Sequence, residues 1–141
     1  MIPNPSGQLP VYAADTHALL WYLTVDKKLS QTAHTIIKQV INGQVDLVIP
    51  AVVLAELYMI AERQPTPLVL STLDAVIKNW QVSSNIRLTT LTPDIVMLSS
   101  NFSATPDIFD RLIATEAHKL GVPLITRDPL IVNSNLMTTL W

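Results

Sequence analysis

The chain has 141 residues, the size of one domain, since domains most often run to about 100–150 residues. Its 9 basic and 11 acidic residues leave a net charge of −2, which excludes a broad basic field for nucleic acid, and the absence of cysteine excludes disulfides, thiolate metal sites and thiol nucleophiles. Hydrophobic residues make up 49% and charged residues 14%, against roughly 25% charged in soluble domains, so a large core is available and the thin surface charge suits contact with a partner.

The opening MIPNPSGQLP has prolines at positions 3 and 5 and no basic run before an apolar core, so it reads as a flexible arm over 1–10 and not as a secretory leader. A domain is expected over 11–141, in the cytoplasm. Its first strand is VYAA at 11–14, followed by helices over about 16–24 and 30–41. DLVI at 46–49 is the second strand, and Pro50 opens the helix PAVVLAELYMIAER. A further helix over about 67–79 leads to the strand IRLTTL at 86–91. Thr92-Pro93-Asp94 and Thr105-Pro106-Asp107 each read as a helix start, with Thr at the cap, Pro at the first helical position and Asp near the helix dipole. The second of these opens IFDRLIATEAHKL, which Gly121 stops before the strand VPLIT at 122–126; LMTTLW closes the chain as an edge strand.

Strands alternating with helices favour an α/β fold, a parallel sheet of four to five strands with helices on both faces. The longest apolar stretch, LVIPAVVLAELYMIA, is broken by Pro50 and Glu56 and falls short of the ~20 clean residues of a membrane span.

Two acids stand where such a sheet binds ligands. Asp15 ends the first strand and Asp128 ends LITRD, so both lie at the carboxyl edge. A helix cap for Asp15 and turn chemistry for Asp128, which precedes Pro129, are equally open structural roles. Asp110 lies one turn into the helix before the last of these strands. Glu56 has Val52, Val53, Met59 and Ile60 three and four positions away, so it sits on an apolar stripe; there a carboxylate must be paired, protonated or bound to a cation. Asp107 competes with Asp110 for a ligand position, since the two are three apart. Asp110 is preferred because the Thr-Pro-Asp helix start already explains Asp107, whereas Asp110 follows Ile108 and Phe109 and precedes an apolar run with no such role; Asp107 remains an alternative ligand or supporting neighbour.

Carboxylates without cysteine or paired histidines suit a hard cation with oxygen ligands, Mg²⁺ or Mn²⁺. Such clusters serve phosphoryl chemistry by activating water and stabilising developing charge. His17 reads as a hydrogen-bonding neighbour of Asp15; His34 and His118 read as helix-surface residues. Arg111 and Arg127 adjoin two of the acids, and each either meets a substrate phosphate or balances the carboxylates.

ADTHALLWYL, PAVVLAELYMIAER, FDRLIATEA and LITRD together resemble the PIN-domain family, most closely its VapC-type toxin ribonucleases, in the family's order and with comparable spacing from Val11 to Trp141. The resemblance implies a PIN-like three-layer sandwich, Mg²⁺- or Mn²⁺-dependent cleavage of RNA, a homodimer and a cognate antitoxin. It places metal ligands at Asp15, Glu56 and Asp110, Asp128 as the fourth acid, and Thr16 and Thr126 as hydroxyls beside them. The chain departs from the pattern in its longer arm and in NFSATPDIF, which lacks the basic or histidine residue often found before the third acid. A catalytically inactive PIN-fold module that binds RNA or protein is the alternative; a receiver-type signalling domain fits less well, because no lysine follows a final strand.

Overall fold

Five short runs of apolar and β-branched residues build the sheet of the computed structural model, which describes residues 9–141. They are β1 (Val11–Ala14), β2 (Asp46–Pro50), β3 (Ile86–Thr89), β4 (Leu124–Ile125) and β5 (Thr139–Leu140). Their spatial order is β3-β2-β1-β4-β5, and every pairing is parallel. Most of the arm expected over 1–10 lies outside the described residues.

The helices between the strands cover both faces of the sheet. They are α1 (Thr16–Leu23), α2 (Gln31–Ile41), α3 (Ala51–Glu62), α4 (Leu70–Val82), α5 (Pro93–Leu98), α6 (Ile108–Leu120) and α7 (Pro129–Val132), with a 3-10 turn at Ser99–Phe102. Parallel strands need such crossovers, and burial on both faces explains why β1 and β2 read as continuous apolar runs. Ala13, Ala14 and Ile49 are fully buried, packed with Leu19 of α1, Val53 and Leu57 of α3, and Ile113 and Ala114 of α6 in one core. Among the described residues no helix is long and apolar enough to cross a membrane.

Local chemistry sets several boundaries. Ser30 accepts the amide of Ala33 at 3.1 Å and starts α2. Gly121 ends α6 at φ 67°, a left-handed conformation that favours glycine. The helix expected from 67 begins instead at Leu70 and runs on to Val82. The amide of Leu68 bonds the Thr66 hydroxyl at 3.2 Å and buries Leu68 in a turn, which delays the helix. The expected start at Thr105 also shifts: Asp107 is the cap of α6, its carboxylate accepting the amides of Phe109 and Asp110 at 2.9 and 3.1 Å. Pro106 therefore precedes the cap instead of opening the helix. The LMTTLW segment does form an edge strand, as expected, while α7 and the 3-10 turn are additional to the expected elements.

The decisive feature is the neighbourhood of β1. Its chain partner β2 lies on one side and β4 on the other, so the strand order reverses there. Open α/β sheets form a crevice outside the carboxyl ends of the strands at this point.

Candidate active site at the carboxyl edge of the sheet

Asp15 leaves β1 directly into that crevice. Its backbone N–H bonds the carbonyl of Ile125 at 3.1 Å, which ties it to the end of β4, and its carboxylate accepts the Ala18 amide at 2.8 Å. The residue is only 8% exposed. Burial raises its pKa, the Thr126 hydroxyl, the Ala18 amide and His17 oppose the rise, and Asp128 adds to it. Thr126, fully buried, also accepts the Asp128 amide at 3.1 Å. One hydroxyl thus links both strand-end acids. Asp128 in turn caps α7 by accepting the Leu130 amide at 2.9 Å. The cap considered for Asp15 is therefore real, Asp128 serves as a cap where turn chemistry was expected, and both residues line the cleft at the sheet edge.

Asp110 comes from the first turn of α6. Its pKa is pushed up to about 7 by burial first, then by the charges of Asp107, Asp128 and Glu56, and by a hydrogen bond with Asp128. Glu56 is half-buried on α3, where the Thr16 hydroxyl donates to its Oε1 at 2.5 Å. Burial raises Glu56 most, Thr16 opposes it, Asp107 and Asp15 raise it further, and His17 lowers it. These mutual effects place the acids in one electrostatic neighbourhood.

Asp15, Asp110 and Asp128 line a cleft of about 300 Å³ together with His17, Trp21 and Arg127. Glu56 does not line it and is held beside it through Thr16. Among the described residues no three acidic or histidine side chains are gathered closely enough, as they stand, to hold a metal ion. The only salt bridge there joins Lys28 to Asp26, so no basic side chain neutralises the acids at ion-pair distance. The donor set still fits a divalent cation: carboxylate and hydroxyl oxygens only, desolvated and mutually repelling.

The two arginines separate. Arg111 donates to the carbonyls of Thr105 and Ser103, which braces the loop before α6. The Arg127 guanidinium instead lies over the Trp21 ring at 4.3 Å and 6.0 Å from the centre of Trp141. The His17 ring meets the same Trp21 at a 49° tilt with centres 5.2 Å apart, and no hydrogen bond to Asp15 joins it to the acids. The spacing of His17 and Trp21 on one helix face was available in the sequence; the approach of Arg127 and Trp141 from other elements was not.

A parallel α/β sheet with carboxylates at its switch point defines the class. Within it, a PIN domain model matches residues 12–132, and the chain belongs to the PIN domain family. PIN domains are typically nucleases and generally use divalent metal ions. No curated protein matches the sequence. Among solved structures the chain is similar to VapBC2 from Rickettsia felis, bound to a DNA fragment from its promoter: TM-score 0.65, 12% identity, 92% of this chain and 97% of that one covered. FitAcB from Neisseria gonorrhoeae is similar with TM-score 0.54 and 12% identity, covering 92% and 96% respectively.

Proposed function

We propose that the chain is a Mg²⁺- or Mn²⁺-dependent endoribonuclease that hydrolyses RNA phosphodiester bonds as the toxin of a toxin–antitoxin pair. The observation that carries this reading is the set of partly or wholly buried carboxylates at the β1/β4 switch point with no basic side chain at ion-pair distance among the described residues. Asp15, Glu56, Asp110 and Asp128 would hold the metal, whose chemistry is to acidify a water and to offset charge on the phosphate.

The chain's own residues prepare that chemistry. Thr16 fixes one oxygen of Glu56, and Thr126 fixes Asp15 while anchoring the backbone of Asp128. Burial and the neighbouring carboxylates push the Asp110 pKa up to about 7, so binding a cation there entails releasing its proton. Asp107 supports the site by capping α6 and by its charge. In hydrolysis a water oxygen bonds to phosphorus and one P–O ester bond breaks. Likeness to the VapBC2 and FitAcB assemblies supports a cognate antitoxin as partner, the thin surface charge supports a homodimer, and the absence of cysteine fits action in a reducing cytoplasm.

The test is cleavage of total RNA by the purified protein in Mg²⁺, Mn²⁺ or EDTA, with Asp15→Asn alongside. Discrete fragments that require metal and fall at least about a hundredfold in the variant are expected, since even residues behind a ligand cost about 10–100-fold. A folded wild-type protein that cuts nothing with either metal would instead favour a PIN-fold module that only binds RNA or protein.

A further inference from the structure

Beside the acids stands a feature the hydrolytic reading does not use. Trp21 is 7% exposed and serves as a pedestal for three groups from different places in the chain. The His17 ring meets it tilted at 5.2 Å, the Arg127 guanidinium lies over it at 4.3 Å, and the Lys28 ammonium, also paired with Asp26 at 3.9 Å, at 5.5 Å. Trp141 meets it edge-on at 5.7 Å. His17 and Arg127 are both exposed, so two planar groups of cationic or aromatic character border the acidic cleft. Arg127 makes no salt bridge among the described residues. A guanidinium oriented by an indole and left unpaired keeps its donors for an incoming anion.

Trp21 also forms a wall of a second, larger groove of about 530 Å³, lined by Tyr22, Lys27 and His34 among others. The Tyr22 and His34 rings meet there at a 41° tilt, with centres 5.6 Å apart. At its rim Val25 is 89% exposed with φ 54°, an unusual conformation for a β-branched residue, of the kind held at functional loops. The acidic cleft and this groove are thus joined across Trp21 by a strip of rings and basic groups, on a molecule whose net charge is −2. Rings on which bases stack, alternating with cations for phosphates, are how proteins hold single-stranded nucleic acid. An apolar peptide would not need the cations, and a regular duplex presents no free base face.

We propose that His17 and Arg127, held by Trp21, form a subsite that grips an unpaired nucleotide next to the scissile phosphate, and that the strand continues past Lys28 into the groove of Tyr22 and His34. Arg127 takes the phosphate, His17 stacks the base, and Trp21 is a positioning residue. This selects single-stranded RNA, or an unpaired loop, over a regular helix. The inference rests on the nuclease reading for the cleavage step alone, and binding can be measured apart from it.

The experiment is fluorescence anisotropy in EDTA with a short labelled single-stranded RNA of mixed sequence, the same RNA with an abasic nucleotide moved along it, and a duplex of equal length. His17→Ala and Arg127→Ala are exposed changes, and each is expected to weaken single-strand binding about tenfold, while Lys78→Ala on the exposed side of α4 leaves it unchanged. Arg127→Ala also lowers the salt dependence by about one ion. One abasic position reproduces the loss in His17→Ala, and the two losses do not add. Wild-type affinity in both variants, equal affinity for duplex, or full additivity of the abasic loss overturns the subsite. So does loss of a protein partner's binding with RNA affinity intact. Cleavage in Mg²⁺ or Mn²⁺ separates the two readings: binding without cleavage sinks the nuclease and leaves the subsite, whereas cleavage with KM unchanged in both variants sinks the subsite alone.

Discussion

Asp110 carries the sharpest consequence at the scale of single residues. Its pKa lies near 7 against an ordinary 3.8, so the folded protein favours the protonated form. The stability it contributes is therefore full below about pH 4 and is lost as pH rises through 7. In EDTA, thermal melts of wild type and Asp110→Asn should diverge with rising pH, with the variant gaining relative to wild type. Added Mg²⁺ should raise the wild-type melting temperature more at about pH 8 than at about pH 5, because ligation requires the deprotonated carboxylates. A difference that does not change with pH would refute this. Asp107 offers the contrasting case, since it caps α6. Asp107→Asn keeps the cap and should retain measurable cleavage, Asp107→Ala should cost about 1 kcal/mol in denaturant unfolding, and Asp110→Asn should abolish cleavage without losing the fold. The identity of these acids was legible because each interrupts an apolar pattern or ends a strand. What the sequence could not convey is their balance: Glu56 is half-buried behind Thr16 rather than lining the cleft, and Arg111 is engaged by the carbonyls of residues 103 and 105.

At the scale of elements, legibility tracked the strength of the local signal. Strands β1 and β2 are four- and five-residue apolar runs between clear breakers, and both stand within a residue of expectation. The helix starts at α4 and α6 moved because a side chain took the backbone first: the Thr66 hydroxyl held Leu68 in a turn, and Asp107 outcompeted Thr105 for two amides. Such contests are decided by distances that a linear pattern does not contain. Two substitutions probe the elements that carry the site. Gly121→Ala meets no atom within 4 Å, so its cost is backbone strain alone at φ 67°; a loss of roughly 1 kcal/mol is expected in denaturant unfolding. Trp21→Ala removes a buried indole that α1 packs against Trp141 and should cost ~3–5 kcal/mol. Full stability of that variant would mean Trp21 is not core and would call for another account of its burial.

On the whole molecule, the apolar composition exceeds what the core consumes. Leu91, Val96, Met97 and Leu98 are exposed by 40, 48, 73 and 41%, four large apolar side chains within eight residues around α5, with Asp94 the one charged residue among them. Single exposed apolar residues are ordinary, but several in one short segment offer apolar area to a partner. The proposed homodimer would cover it, provided the contact reaches the ~1,200–2,000 Å² of a stable interface. Met97 is the most exposed of the four, so Met97→Lys removes little from the monomer's core and places a charge in the centre of the contact. Sedimentation equilibrium should then show wild type as a dimer and the variant as a monomer, with the variant's unfolding free energy per chain within about 0.5 kcal/mol of wild type at low concentration. A wild-type protein monomeric at every concentration would end the dimer reading. A variant still dimeric would move the interface elsewhere, because a buried unpaired ammonium at the centre of this patch is too costly to retain.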